Sequence, residues 1–280
     1  MALVVDTHTH VVSPDTRSFP QHRAGHPGGN WVDDAPVSAA DLRASMAEAG
    51  VDRALLVQAH GAYQYDNSYV ASAVRADPDV FGGVGIVDVG GPDPAGELVR
   101  LHAAGLRGLR LFSIPTPQTP WLDDPATEPI WETAVRLGVH VGVCLLDPEL
   151  PVLGRALDAH PGVAVALDHC GFADFTDGPP YRNAEPLWAL ADRSTLHLKV
   201  TSTLLDLATV AGGDPRDLVD ALAARFGPHR LMWGSDYPQV HDRTYAELLA
   251  EARHAASRLS ADDQELFFGG TALSLWPELA

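Results

Sequence analysis

A (β/α)8 barrel, the TIM barrel of the α/β class, is the fold that this sequence predicts, and three observations predict it. Strand-sized apolar runs alternate with helical segments from one end of the chain to the other. The alternation gives eight units, and 280 residues suit a barrel built as one domain over residues 1–280. Side chains able to do chemistry gather at the carboxyl ends of the runs, where barrel active sites are built. A doubly wound open sheet is the alternative, but no glycine-rich phosphate loop follows the first strand.

The first strand is Leu3–Thr7, an apolar run leading into Asp6-Thr7-His8-Thr9-His10. Period-two alternation puts His8 and His10 on one face with Asp6 below them. At a rise of roughly 3.3 Å per residue the two imidazoles lie about 7 Å apart, so both can reach one ion, water or substrate oxygen. The irregular segment from Val11 to Val37, with His22 and His26, leaves the catalytic end of this strand and reads as a lid. Ser38 then caps a helix over Ser38–Ala49 that Gly50 closes. Strand two, Ala54–Gln58, delivers His60, Tyr63, Tyr65 and Asp66, with a helix over Asn67–Ala76.

Strand three is Phe81–Val87 with helix Pro94–Ala104, and strand four, Gly108–Phe112, carries Arg110 ahead of helix Ala126–Leu137. Strand five, Val139–Leu145, holds Cys144 and precedes helix Glu149–Ala159. Strand six, Val163–Leu167, ends in Asp168-His169-Cys170 before helix Asn183–Ala191. Strand seven, Leu196–Val200, carries Lys199, with Thr201 and Ser202 beyond it and helix Pro215–Arg225 after. Strand eight, Leu231–Gly234, runs into Ser235-Asp236-Tyr237-Pro238 ahead of helix Thr244–Arg258. The tail from Ala261 to Ala280 reads as one extra helix packed outside the barrel. His140, His160, His229 and His254 fall at strand starts, on helices or in the opposite loops, and read as structural or solvated.

Composition narrows the function classes. A formal charge of −18 disfavours nucleic acid and anionic membrane surfaces as partners, since both need basic patches. The apolar runs are too short for a transmembrane helix, and the amino terminus lacks the basic region and apolar core of a signal peptide. Two cysteines give no disulfide framework. A soluble cytoplasmic protein acting on a small molecule is expected, and a homo-oligomer is compatible with these features. Of nineteen basic residues all but Lys199 are arginine. Lysine differs from arginine in its compact ammonium and its shiftable pKa. Strand phase places Lys199 toward the barrel interior, within reach of Asp168 or Asp236.

His8, His10, His169 and Asp236 form a coherent set. Imidazole and carboxylate are the ligands of a catalytic divalent ion with an open position. Equally, a carboxylate among imidazoles can act as a general base on water while the imidazoles polarise a carbonyl. Sequence alone leaves both uses open.

The motifs Asp6-Thr7-His8-Thr9-His10, Leu167-Asp168-His169-Cys170-Gly171 and Trp233-Gly234-Ser235-Asp236-Tyr237-Pro238, in this order at strands one, six and eight, resemble the amidohydrolase superfamily (amidohydrolase 2 type). The nearer branch is that of 2-pyrone-4,6-dicarboxylate lactonase and sugar-lactone lactonases. Gly105-Leu106-Arg107-Gly108-Leu109-Arg110, Leu198-Lys199-Val200 and Phe268-Gly269-Gly270-Thr271-Ala272 extend the resemblance over essentially the whole chain, with Thr271 where that family usually has Asn. The resemblance implies lactone hydrolysis, or cleavage of a related C–O or C–N bond. In that reaction Asp236 takes a proton from water while His8, His10 and His169 polarise the carbonyl.

It also implies a possible divalent ion, zinc foremost, on His8, His10 and Asp236. The strand-five histidine of the metal-binding members is absent, Cys144 standing near its place, and the pyrone lactonase works without metal. Arg110, His60, Tyr63, Lys199 and Phe172 are the expected substrate contacts. Phe172 stands where an arginine would follow the Asp-His motif, so the expected substrate is less anionic than a pyrone dicarboxylate. A metal-dependent decarboxylase of the aminocarboxymuconate-semialdehyde type is the alternative activity.

Overall fold

Eight nearly all-buried strands form one parallel sheet in chain order in the computed structural model, which describes residues 2–23, 30–114, 120–210 and 212–280. They are β1 (Val5–Thr9), β2 (Arg53–Val57), β3 (Phe81–Ile86), β4 (Gly108–Phe112), β5 (His140–Cys144), β6 (Val165–Leu167), β7 (Leu196–Thr201) and β8 (Leu231–Gly234). The described helices begin with α1 (Trp31–Asp34), α2 (Ala39–Ala49), α3 (His60–Tyr63), α4 (Ser68–Ala76), α5 (Pro94–Ala103), α6 (Glu128–Leu137) and α7 (Leu150–Ala159). The series continues with α8 (Glu185–Trp188), α9 (Ser202–Val210), α10 (Pro215–Phe226), α11 (Tyr245–Ala255), α12 (Ala261–Glu265) and α13 (Thr271–Leu275). This is the (β/α)8 barrel that the alternation predicts. Among the described residues no helix is long and apolar enough to cross a membrane.

Local chemistry places several boundaries. Ser38 and Asp41 exchange side-chain and backbone hydrogen bonds at the start of α2, and Gly50 closes that helix in the left-handed conformation at φ +76°. β1 begins two residues later than expected and ends at Thr9, so His8 sits within the strand and not beyond it. Of the proposed lid, residues 11–23 and 30–37 are described, and its residues 24–29, His26 included, lie outside the described residues. The described parts are packed: Val11, Val12, Trp31 and Val32 are buried, and Tyr63 Oη accepts a hydrogen bond from Ser13 N at 2.7 Å. Helices α1, α3 and α9 were not expected: α1 and α3 have four residues each, too few to show a period, and α9 runs straight on from the end of β7. The expected helix over 183–191 shortens to α8 behind a 3-10 turn.

Barrel closure between β8 and β1 is made largely by hydrogen bonds outside a regular ladder. Thr7 Oγ1 donates to Trp233 O at 2.6 Å, Asp236 N to His8 O at 2.9 Å, and His10 N to Tyr237 O at 2.9 Å. The buried carboxylate of Asp6 completes the seam. Its Oδ1 accepts from Ser235 N at 2.9 Å and His8 N at 3.0 Å, and its Oδ2 from Tyr245 Oη of α11 at 2.8 Å. Asp6 thus shares the strand with the two histidines but is committed to the seam. Gly234 is required here, because a Cβ on it would stand 2.7 Å from His8 Cβ.

The carboxyl-terminal tail departs from its expected place. It breaks at a π turn over Leu266–Gly270, and Ala272, Leu275, Trp276 and Leu279 join Val5, Leu55, Val57, Val84, Ala166 and Met232 in one buried cluster. Those strand residues are covered by the tail at the end of the barrel opposite the active site, so the tail acts as a plug and not as an outer helix. The reason is apolar: without the tail this layer would face water. Replacing the buried Trp276 by alanine is expected to destabilise the protein by about 3–5 kcal/mol. Chemical denaturation reads this directly, and an unchanged midpoint would refute the plug.

Candidate active site

The seam sets the positions of the reactive groups. His8 and His10 rise from β1 with ring centroids 5.0 Å apart and planes at 89°, and His169 lies 4.9 Å from His8. His10 Nδ1 bonds Val57 O at 2.8 Å. A carbonyl only accepts, so Nδ1 carries the proton and Nε2 faces the site. Trp31 of α1 stacks on this ring at 5.5 Å. His169 begins a left-handed turn (φ +53°), and its Nδ1 lies 2.7 Å from Thr201 Oγ1. Gly171 lets that turn pass Leu150, whose Cδ2 would lie 2.7 Å from an added Cβ.

Asp236 sits at the centre, fully buried and itself left-handed at φ +57°. Its two oxygens differ. Oδ2 accepts from Thr203 Oγ1 at 2.6 Å and from Gln239 Nε2 at 3.5 Å. Oδ1 has no hydrogen-bond partner and lies 3.7 Å from both His8 Nε2 and His10 Nε2. Burial opposes ionisation of Asp236, yet His169, His10 and His8 hold it below the usual carboxylate range. His8 and His169 are themselves pushed down by burial, His8 strongly, so both are neutral imidazoles at pH 7.

Behind His8 lies a buried charge cluster. Arg110 Nε donates to Asp168 Oδ2 at 2.8 Å, and Lys199 Nζ is 3.0 Å from Asp168 Oδ1. Lys199 Nζ also lies 3.4 Å from His8 Nδ1. Burial works against the Asp168 charge, but Lys199, His8 and Arg110 hold it well below its ordinary range.

The cavity in front of these groups is lined by His10, Trp31, His60, Arg110, Phe112, Cys144, His169, Phe172 and Gln239, among others. Arg110, His60 and Phe172 therefore face the cavity as substrate contacts would. Two expected contacts do not. Tyr63 spends its hydroxyl on Ser13 N, and Lys199 is buried behind His8. Sequence reasoning missed Trp31, Thr203 and Gln239. Trp31 comes from an irregular segment, and Thr203 and Gln239 stand a few residues beyond the strand ends, so no periodic signal marks them. Cys144 lies on the cavity wall with its thiol pushed up to about 12 by burial, which makes it an uncharged surface at neutral pH.

The donor set fits a divalent ion. One ligand atom each from His8, His169 and Asp236 lies within 4.8 Å of the others, and His8 Nε2 and Asp236 Oδ1 are buried without partners. His169 stands in this triad where the resemblance implied His10. His10 still turns its Nε2 toward Asp236.

Residues 5–277 match the family model described as Amidohydrolase. An L-fucono-1,5-lactonase of Burkholderia ambifaria is 27% identical over 243 residues, covering 83% of this chain and 82% of that protein. A 4-sulfomuconolactone hydrolase of Rhizobium radiobacter is 29% identical over 241 residues, covering 83% and 75%. Among solved structures, a Pseudomonas putida protein with the provisional name 2-pyrone-4,6-dicarboxylic acid hydrolase superposes with a TM-score of 0.80 at 23% identity, covering 100% and 99%. A zinc-bound amidohydrolase from Burkholderia multivorans gives 0.76 at 23% identity, covering 99% of each chain.

Asp168 is the counter-charge for two buried cations. Asp168→Asn is expected to destabilise the protein by roughly 3–5 kcal/mol at pH 7. Because the folded pKa is depressed, this stability is complete above the ordinary carboxylate value and is lost as pH falls through the folded one. The gap between wild type and variant should therefore narrow only below about pH 4. Urea titrations at several pH values check this; a gap already closing at pH 6 would contradict it.

Proposed function

The chain belongs to the amidohydrolase family, and from that premise we propose that it hydrolyses a lactone with Asp236 as the general base. One observation carries the reading: a buried, ionised carboxylate oxygen without a partner, Asp236 Oδ1, faces two imidazole nitrogens at 3.7 Å. A water held there gives a proton to Oδ1, and His10 Nε2 is the second acceptor that orients it. The oxygen of that water forms a bond to the lactone carbonyl carbon. His8 and His169 polarise the carbonyl and stabilise the oxyanion as charge develops. When the tetrahedral intermediate collapses, the ring C–O bond breaks and the proton on Asp236 passes to the leaving alkoxide. The product is one open-chain hydroxy acid, and Asp236 is again a carboxylate.

Asp236 is readied for this role by its two different oxygens. Thr203 and Gln239 occupy Oδ2 and fix the carboxylate plane, so Oδ1 is the free base. A bound divalent ion, with zinc best suited to imidazole and carboxylate, would be held by His8, His169 and Asp236 and would supply Lewis-acid polarisation and a more acidic water. The family also offers decarboxylation as a chemistry, but no feature of the site favours it over attack by water.

Substrate charge follows from the cavity wall. Among the described residues that line it, Arg110 is the only Lys or Arg, and Asp168 already engages it. Trp31, Phe112 and Phe172 offer apolar surface. This supports a substrate less anionic than a pyrone dicarboxylate, such as a neutral sugar lactone.

Asp236→Asn should lower kcat by about 10²–10⁴-fold with the circular dichroism spectrum unchanged; near-normal turnover would remove Asp236 as the base. The base must be ionised, and its pKa lies below the usual range, so protonation of Asp236 should not limit kcat/KM above about pH 5. An acid limb centred near pH 6 to 7 that persists in His10→Gln would argue for a different base. In a panel of lactones a neutral sugar lactone should be turned over with a higher kcat/KM than a dicarboxylate lactone, and the reverse order would sink the charge argument.

A further inference from the structure

We infer that Lys199 is a positioning residue that fixes the proton of His8 on Nε2, making His8 a hydrogen-bond donor toward the substrate carbonyl. An ammonium only donates, so a nitrogen that accepts from it must present a lone pair. Lys199 Nζ is in hydrogen-bond geometry with His8 Nδ1 at 3.4 Å. In a neutral imidazole the remaining proton then sits on Nε2, the atom facing Asp236 Oδ1 across 3.7 Å.

The competing arrangement puts the proton on Nδ1 and donates it to Asp168 Oδ1, which is also 3.4 Å away. Two features weigh against it. Asp168 already pairs with a cation at each oxygen: Lys199 Nζ forms an ion pair with Oδ1 at 3.0 Å without hydrogen-bond geometry, and Arg110 Nε donates to Oδ2 at 2.8 Å. An Nδ1 proton would also point toward the Lys199 ammonium. Burial and the Lys199 charge both keep His8 from protonating further, consistent with a neutral ring.

Lys199 is 1% exposed, so it acts on the substrate only through His8. The same contact opposes metal binding. Ligation needs the Nε2 lone pair, which requires the proton to move to Nδ1 and break the bond from Lys199. The one lysine of the chain thereby tunes His8 between a donor and a ligand. Arginine, with a longer planar fork, does not reproduce a single short-range donor at this point.

Only the use of the proton rests on the lactonase reading; the tautomer is measured without substrate. Long-range 1H–15N correlation spectra of the metal-free enzyme, with His8→Gln to assign the signals, should show a protonated Nε2 and a lone-pair Nδ1 in His8. The opposite pattern overturns the inference, whatever the activity proves to be. In Lys199→Met the proton should shift to Nδ1, and Zn2+ alone, titrated against a chromophoric chelator, should bind about 10- to 100-fold more tightly. Metal-free kcat should fall while KM stays within about threefold. An unmoved tautomer or unchanged zinc affinity in a folded Lys199→Met overturns the assignment. If that variant does not fold, the wild-type spectrum decides alone.

Discussion

The contact between β8 and β1 is the constraint on which the site depends. Each other pair of neighbouring strands shares a parallel ladder, with a register shift between Asp6 and Thr9 in β1 against β2, but here closure passes through the Asp6 carboxylate, the Thr7 hydroxyl and two backbone hydrogen bonds beside Asp236 and His10. Asp236 N bonds His8 O directly, so Asp236 and the first histidine are tied by one hydrogen bond of the main chain. Gly234 permits the approach. Burial pushes Asp6 up to about 6 against the pull of its donors from Ser235, His8 and Tyr245, a measure of how far from water this seam lies.

A second consequence is electrical. The seam faces a cluster in which Asp168 sits between Lys199 and Arg110, and Asp236 is surrounded by three imidazoles. Each carboxylate is buried, and each stays charged because of those neighbours. The two carboxylates therefore take different roles. Asp168 lies between two cations, whereas Asp236 has imidazoles around one oxygen and hydrogen-bond donors on the other. That division separates a structural counter-charge from the carboxylate proposed as base, and it follows from which strand ends meet in the barrel.

Much of this was legible in the sequence. The eight apolar runs each carry a strand, because continuous burial on both faces leaves an unambiguous apolar signature. His8, His10, His169 and Asp236 were found because barrel geometry sends strand ends to one place. What was missed has physical reasons. Trp31 and Thr203 stand at the starts of helices α1 and α9 and Gln239 in the loop after β8, and their direction depends on tertiary packing. The tail was read as an outer helix because its apolar residues have a helical period, and periodicity cannot say which surface the residues cover. Lys199 was expected to contact substrate; its place behind His8 depends on where Asp168 lies in the folded barrel, which no local pattern carries. Asp6 shares a strand with the histidines, yet only the position of Ser235 and Tyr245 shows that it is spent on closure.

The account holds that Asp236 activates water and never bonds to the substrate. A lactone that the enzyme turns over, supplied in single-turnover amounts in H2(18)O, tests this by mass spectrometry. The account predicts one 18O atom in the new carboxylate of the hydroxy acid and none in the peptide containing Asp236. Label in the Asp236 peptide, with unlabelled product from the first turnover, would show a covalent acyl intermediate and contradict it.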